Sequence, residues 1–173
     1  MKLTWFGDET FRIHAAGAIV VVEGVVLPEG VDRVELVAGA DVIVNLPRGP
    51  VMGQAGWRPR APLKILEDDE TVRLPETVAL GEGVLVLDAD GEAPLVLTRG
   101  GLSATGRWVG QAVVVLIGTQ LAERGVEILE RVQPRLIALA GTDQEIDAAF
   151  DAMRDRLDGT GLVALERGLA VEA

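Results

Sequence analysis

The chain contains no cysteine, no tyrosine and a single histidine, His14. The missing thiols exclude disulfides, thiolate metal sites and cysteine nucleophiles. One imidazole cannot build a zinc site made mainly of histidines, and no Ser-His-Asp set is available away from His14. Aromatic residues make up only 3% of the chain, too few for a platform on which bases or sugars stack. Lysine occurs only at Lys2 and Lys64, so the cations are scattered arginines, and the net charge is −11. Phosphate backbones call for clustered cations, so nucleic acid is not an expected partner. Long apolar runs are missing too. Ala18–Val22 and Ala112–Ile117 are far shorter than the roughly 20 residues of a bilayer span, and MKLTWFGDE carries no signal-peptide core. The expectation is a cytoplasmic protein of bacterial type, without membrane insertion.

What is present suits one packed domain, residues 1–173, with 49% hydrophobic and 25% charged residues. The mean hydropathy of +0.30 points to heavy burial and to self-association. Short apolar runs punctuated by Gly, Asp and Pro predict strands at Lys2–Phe6, Phe11–His14, Ala18–Glu23, Lys64–Leu66, Glu70–Leu74, Thr77–Ala79, Val84–Leu87 and Pro94–Thr98. Val34–Val37 and Val42–Val44 read as short elements around the turn Gly39–Asp41, and residues 45–62 as a Pro/Gly/Arg-rich loop. After Gly100–Gly110 the pattern alternates: strand Ala112–Ile117, helix Thr119–Val132, strand Leu136–Ala140, helix Thr142–Leu157, strand Leu162–Leu165, with Val171 onward expected to fray. Thr142 and Glu145 have capping-box spacing. Strands followed by alternating strands and helices imply two sheets face to face with helices outside.

Several short peptides then resemble one family. Met1-Lys-Leu-Thr-Trp-Phe-Gly7 followed by Thr10-Phe-Arg-Ile13 is similar to the opening of small bacterial metallo-β-lactamase-fold hydrolases. Ile19–Val22 resembles their next strand, with Glu23-Gly24 in place of an Asp-Pro pair. Ala40–Val44 resembles the strand that leads into the family's His-x-His-x-Asp-His metal motif. Pro94–Thr98, Ala112–Ile117 and Gln133–Leu139 resemble later core strands. The resemblance implies a reduced αβ/βα four-layer sandwich.

The same resemblance implies that the metal site is gone. The motif positions fall on Pro47, Gly49, Val51 and Met52, the bridging aspartate near Gly100, the terminal histidine near Gly141, and the histidine after the first strand on Asp8. No candidate exists for the remaining histidine, and the stretch from Gly53 to Lys64 is short enough to lack the helix that follows the motif. Pro, Gly and Val offer no side-chain donor, and a thioether suits soft ions rather than hydrolytic zinc. Without a metal, water stays far too weak an acid to give hydroxide near neutral pH, whereas a bound metal would bring its pKa to about 7.

Other features have ordinary readings. His14 reads as a surface or satisfied histidine. Asp88-Ala-Asp90-Gly91-Glu92 reads as a hairpin turn, because a calcium loop needs more oxygen ligands and a closing Glu. Glu67–Glu70 reads as a solvated acidic turn. Asp8, Glu9, Arg48 and Arg99 would share the rim of the former active site. There the two arginines could clamp a carboxylate or phosphate, or pair with Asp8 and Glu9 and seal the old cavity, the preferred outcome. The expected function is a metal-free, cofactor-free and non-catalytic module for binding or assembly, partnered by itself or another protein. The alternatives are a divergent metal-dependent hydrolase and a small-anion binder using Arg48 and Arg99.

Overall fold

The structure, a computed structural model, describes residues 1–51, 56–60, 73–102 and 106–173. The chain opens with an antiparallel meander of β1 (Lys2–Gly7), β2 (Thr10–Ala15) and β3 (Ala18–Glu23). The β2–β3 hairpin turns on Ala16 (φ 49) and Gly17 (φ 79), the double positive φ that matches the twist of the flanking strands. A short helix follows, α1 (Arg33–Val37), where the sequence predicted a short element among strands. Asp32 starts it by accepting from the amides of Val34 (2.7 Å) and Glu35 (3.2 Å), a local signal strong enough to override β-branched propensity. β4 (Val42–Asn45) then runs parallel to β3.

The second sheet begins with β5 (Glu76–Gly81), β6 (Val84–Asp88) and β7 (Leu95–Thr98), joined antiparallel. It continues in parallel through β8 (Val113–Ile117), β9 (Leu136–Ala140) and β10 (Gly161–Ala164). Helix α2 (Leu121–Arg131) connects β8 to β9, and α3 (Asp143–Met153) connects β9 to β10. The strand orders are β11-β1-β2-β3-β4 and β10-β9-β8-β7-β6-β5. Here β11 is Ala170–Glu172, paired antiparallel to β1. The C-terminal residues expected to fray are therefore strand. The expected strands at 64–66 and 70–74 lie outside the described residues except for Arg73 and Leu74, which are irregular.

The two sheets pack face to face. Leu3, Trp5, Phe11, Ile13, Val20 and Val22 meet Leu87, Leu95, Leu97, Val113, Val115 and Ile117 in one core. The other face of the second sheet, including Val86, Val96, Val114 and Leu116, packs on Leu121, Ile128, Leu129, Ala149 and Met153 from the helices. Buried on both faces, β8 must be apolar at every position, which explains its unbroken VVVLI run. On the outer face of the first sheet, Arg12 donates to the carbonyl oxygens of Leu36 and Ala38 and so holds α1 in place. The result is the four-layer sandwich that the sequence led us to expect, with a thin outer layer on the first sheet among the described residues. Among those residues no helix is long and apolar enough to cross a membrane.

Candidate functional site

In open sheets with parallel strands, ligand sites form beyond the carboxyl ends of the strands. Here the ends of β8, β9 and β10 face the β1–β2 turn across a recess of about 820 Å³ lined by Asp8, Gly118, Thr119, Gly141, Asp147 and Arg167 among others. An adjoining recess of about 610 Å³ shares Asp8, Gly118 and Thr119 and adds Glu9, Glu82, Arg99 and Gly100. Of the four rim residues named from the sequence, Asp8, Glu9 and Arg99 line these recesses, and Arg48 reaches Glu9 from outside that lining. The β1–β2 turn passes through Gly7 (φ 120) and Asp8 (φ 46), and the Asp8 carbonyl accepts from Trp5 Nε1 at 3.0 Å. That turn aims Glu9 inward, leaving its side chain 13% exposed.

Both Glu9 oxygens are engaged. Oε2 accepts from Arg48 Nη2 at 2.8 Å and Oε1 from Arg99 Nη1 at 2.9 Å. Arg48 comes from the loop after β4 and Arg99 from the loop after β7, so one carboxylate joins both sheets. The backbone adds a second tie. The Gly83 amide donates to the Pro47 carbonyl at 2.8 Å, and the Arg99 amide donates to the Gly83 carbonyl at 3.1 Å. Gly83 has φ +68, and a Cβ on it would lie 2.9 Å from Arg99 Cγ, so glycine is required for that approach. Asp8 is exposed beside this cluster and makes no ion pair among the described residues.

Sequence reasoning missed Arg124. From α2 its guanidinium donates to the carbonyls of Thr98 (2.7 Å), Gly100 (3.3 Å), Ile117 (2.9 Å) and Thr119 (3.0 Å). It thus ties the loops after β7 and β8 to the helix behind them. Burial pulls its pKa below the ordinary arginine value, and the charge of Glu145 opposes that shift. The overlooked signal is positional: Arg124 sits three residues after buried Leu121 and four before buried Ile128, a charge on an apolar stripe. Glu145 also departs from its expected role. Thr142 Oγ1 accepts from the Glu145 amide at 3.4 Å, but the Glu145 carboxylate accepts from the Leu121 amide at 3.1 Å. It therefore caps α2, whose preceding residue Gln120 makes no side-chain cap.

The described residues do not fit a zinc ion. Among the described residues no three of His, Cys, Asp and Glu converge as metal donors. Position 141, near which the resemblance places the family's terminal histidine, is tightly packed. A Cβ on Gly141 would lie 2.8 Å from Leu121 Cδ1 and 2.9 Å from the Gly118 carbonyl oxygen. Pro47, Gly49, Val51 and Gly100 supply no donor side chain, and Met52 lies outside the described residues. Glu9 is held by guanidinium groups through both oxygens.

The remaining candidates resolve structurally. Asp88 is buried and accepts from the Arg60 amide (2.8 Å) and Nε (3.2 Å), while Arg60 Nη2 donates to the Asp88 carbonyl at 2.7 Å. Gly91 (φ 76) makes the following turn. His14 is exposed, in a recess lined also by Lys2, Arg135 and Glu172. The acidic run 67–70 lies outside the described residues.

No protein-family model matches the chain, and no curated protein matches it. Solved structures do. A candidate zinc-dependent hydrolase of the metallo-β-lactamase superfamily from Thermotoga maritima aligns over 96% of this chain and 99% of its own, with 14% identity and a TM-score of 0.53. Igni18, a metallo hydrolase from the hyperthermophilic archaeon Ignicoccus hospitalis, aligns over 99% of this chain and 98% of its own, with 14% identity and a TM-score of 0.52. The chain therefore has the metallo-β-lactamase-like fold.

Proposed function

We propose that this chain is a metal-free, non-catalytic protein on a metallo-β-lactamase-like scaffold, acting in the cytoplasm as a binding or assembly module. Fold alone does not transmit activity, so the reading rests on the site. The observation that carries it is the state of the rim. The positions that the resemblance assigns to metal donors fall on Pro47, Gly49, Val51 and Met52, with Asp8 as the one carboxylate, a Cβ at Gly141 would crowd Leu121 and the Gly118 carbonyl, and Glu9 is spent on two arginines. Among the described residues no donor set converges that would hold a metal and so lower the pKa of a water to make a nucleophile. Val25, Val26, Val34 and Ile43 are exposed large hydrophobics, which supports contact with another protein or a second copy.

Two other readings keep a specific footing. Asp8 and Glu82 line the cleft beside Glu9, where a carboxylate-bound metal of a divergent hydrolase would have to sit. Arg48 and Arg99 converge on one carboxylate, as they would on an external anion. Metal analysis of protein purified without chelator separates the first: the metal-free reading expects well under 0.1 equivalent, and a divergent hydrolase expects zinc, manganese or iron near one equivalent. Sedimentation across a concentration series tests assembly, which expects a concentration-dependent oligomer. A metal-free monomer that anions stabilise, with the gain abolished by Arg48→Ala or Arg99→Ala, favours the anion binder.

A further inference from the structure

We propose that Glu9, Arg48 and Arg99 form an ionic latch that locks the two sheets together at the cleft mouth and does the structural work of a metal there. The inference rests on the metal-free reading and adds to it what orders the rim instead. Ordering is required, because the rim segments Pro47–Gly49 and Thr98–Gly101 are glycine-containing and lie beyond their strands. Fixing such backbone carries a large conformational cost. In a metal-bearing site, binding of the ion supplies the offsetting free energy. Here the Glu9 carboxylate takes the central place, with one oxygen on each guanidinium.

Three features distinguish the latch from an ordinary surface pair. Its carboxylate is largely buried, at 13% exposure. Its partners come from both sheets and are charge-assisted donors. It is also reinforced by the Pro47–Gly83–Arg99 backbone chain and, from behind, by Arg124 on the Thr98 and Gly100 carbonyls. An isolated exposed ion pair contributes little, but a linked set like this opens as a unit. Opening would free Arg99 from the wall of the smaller recess, so the latch also sets how wide the cleft stands.

Native-state hydrogen exchange tests it. The Gly83 and Arg99 amides, each bonded within the rim, are the reporters, and the Val96 amide in the second-sheet core is the control. Glu9→Gln is expected to speed exchange at the two reporters about five- to thirtyfold and to leave Val96 unchanged. Arg48→Met, which spares the Arg99 contact, is expected to give a smaller rise at the same amides and serves if Glu9→Gln does not fold. Unchanged reporters in the folded variants, or a uniform rise at every amide, would overturn the latch. Wild type with EDTA supplies the second arm. Faster reporter exchange there would mean that a metal holds the rim, and both this inference and the metal-free reading would fall. No EDTA effect together with inert variants would remove the latch alone.

Discussion

Replacing Gly141 by alanine asks whether the place near which the resemblance puts the terminal ligand is closed by packing. The new methyl would sit 2.8 Å from Leu121 Cδ1 and 2.9 Å from the Gly118 carbonyl oxygen. Neither neighbour can yield cheaply. Leu121 is fully buried at the start of α2, and Gly118 is anchored through its amide to the Ala140 carbonyl at 2.8 Å. Overpacking of this kind costs about 1–3 kcal/mol. Against it stands the entropic benefit of removing a glycine from the unfolded chain, about 0.4–1 kcal/mol, available because Gly141 is not in the positive-φ region. The steric cost wins, leaving a net loss of about 1–2 kcal/mol. For a chain of this length that lowers Tm by about 2–8 °C. Gly101→Ala is the matched control, since nothing among the described residues lies within 4 Å of its Cβ position and its φ is not positive; it should be neutral or slightly stabilising. Calorimetry on both variants decides. A neutral or stabilised Gly141→Ala would refute the claim that packing crowds out a side chain at position 141. A loss of equal size in Gly101→Ala would show that the packing argument has no discriminating power.

The other consequences concern the supports of the site. Arg124→Met should lose about 2–4 kcal/mol in urea denaturation, since several charge-assisted bonds to carbonyls go together. Arg124→Lys should recover less than half of that, because an ammonium cannot reproduce the planar fork; equal stability of the Lys and Arg proteins would contradict the geometry. Asp88→Asn should lose about 1.5–3 kcal/mol through the Arg60 contacts, read as a shifted denaturation midpoint with an unchanged slope. Thr142→Ala should lose about 0.5–1 kcal/mol, near the low end because the 3.4 Å cap is long; a loss above 2 kcal/mol would mean that Thr142 does more than start α3.

Much of this architecture was legible because its strongest signals are local. The VVVLI run of β8, buried on both faces, the Asp-Gly turn before β7, and the stripe of α3 with Ala149 and Met153 inside each depend on a few neighbouring residues. The short element at Val34–Val37 was legible but its type was not, because Val34 and Val37 favour strand while the deciding interaction is Asp32 capping two amides. The C-terminal strand was missed for the opposite reason. Ala170–Glu172 carries little propensity and is strand only through pairing with Lys2–Thr4, far away in sequence. The site divides in the same way. Asp8, Glu9, Arg48 and Arg99 were set on one rim by what the family resemblance implied, but Glu145 crossing from α3 to cap α2 is a tertiary fact. Arg124 left a trace that pattern reading passes over, since a lone arginine within an amphipathic helix is ordinarily assumed to reach solvent.

Charge now bears on what the cleft can accept. An anion at Arg48 and Arg99 would have to displace a carboxylate already attached to the chain, whose effective concentration no free ligand matches cheaply. It would then face Asp8 and Glu82 in the same recess, and Asp143, Asp147 and Glu166 in the adjoining one, against Arg167 alone as a further cation there. Arg167 is itself stacked over Trp5 at 5.6 Å. Like charges placed this way raise the cost of a second anion well beyond what two shared guanidinium groups return. The acidic bias of the whole chain, −11, thus extends into the cleft instead of being relieved there. Between the two fates open to Arg48 and Arg99, clamping a ligand or bonding to Glu9, the electrostatics of the surroundings favour the second, and they weigh against anion binding as the protein's task.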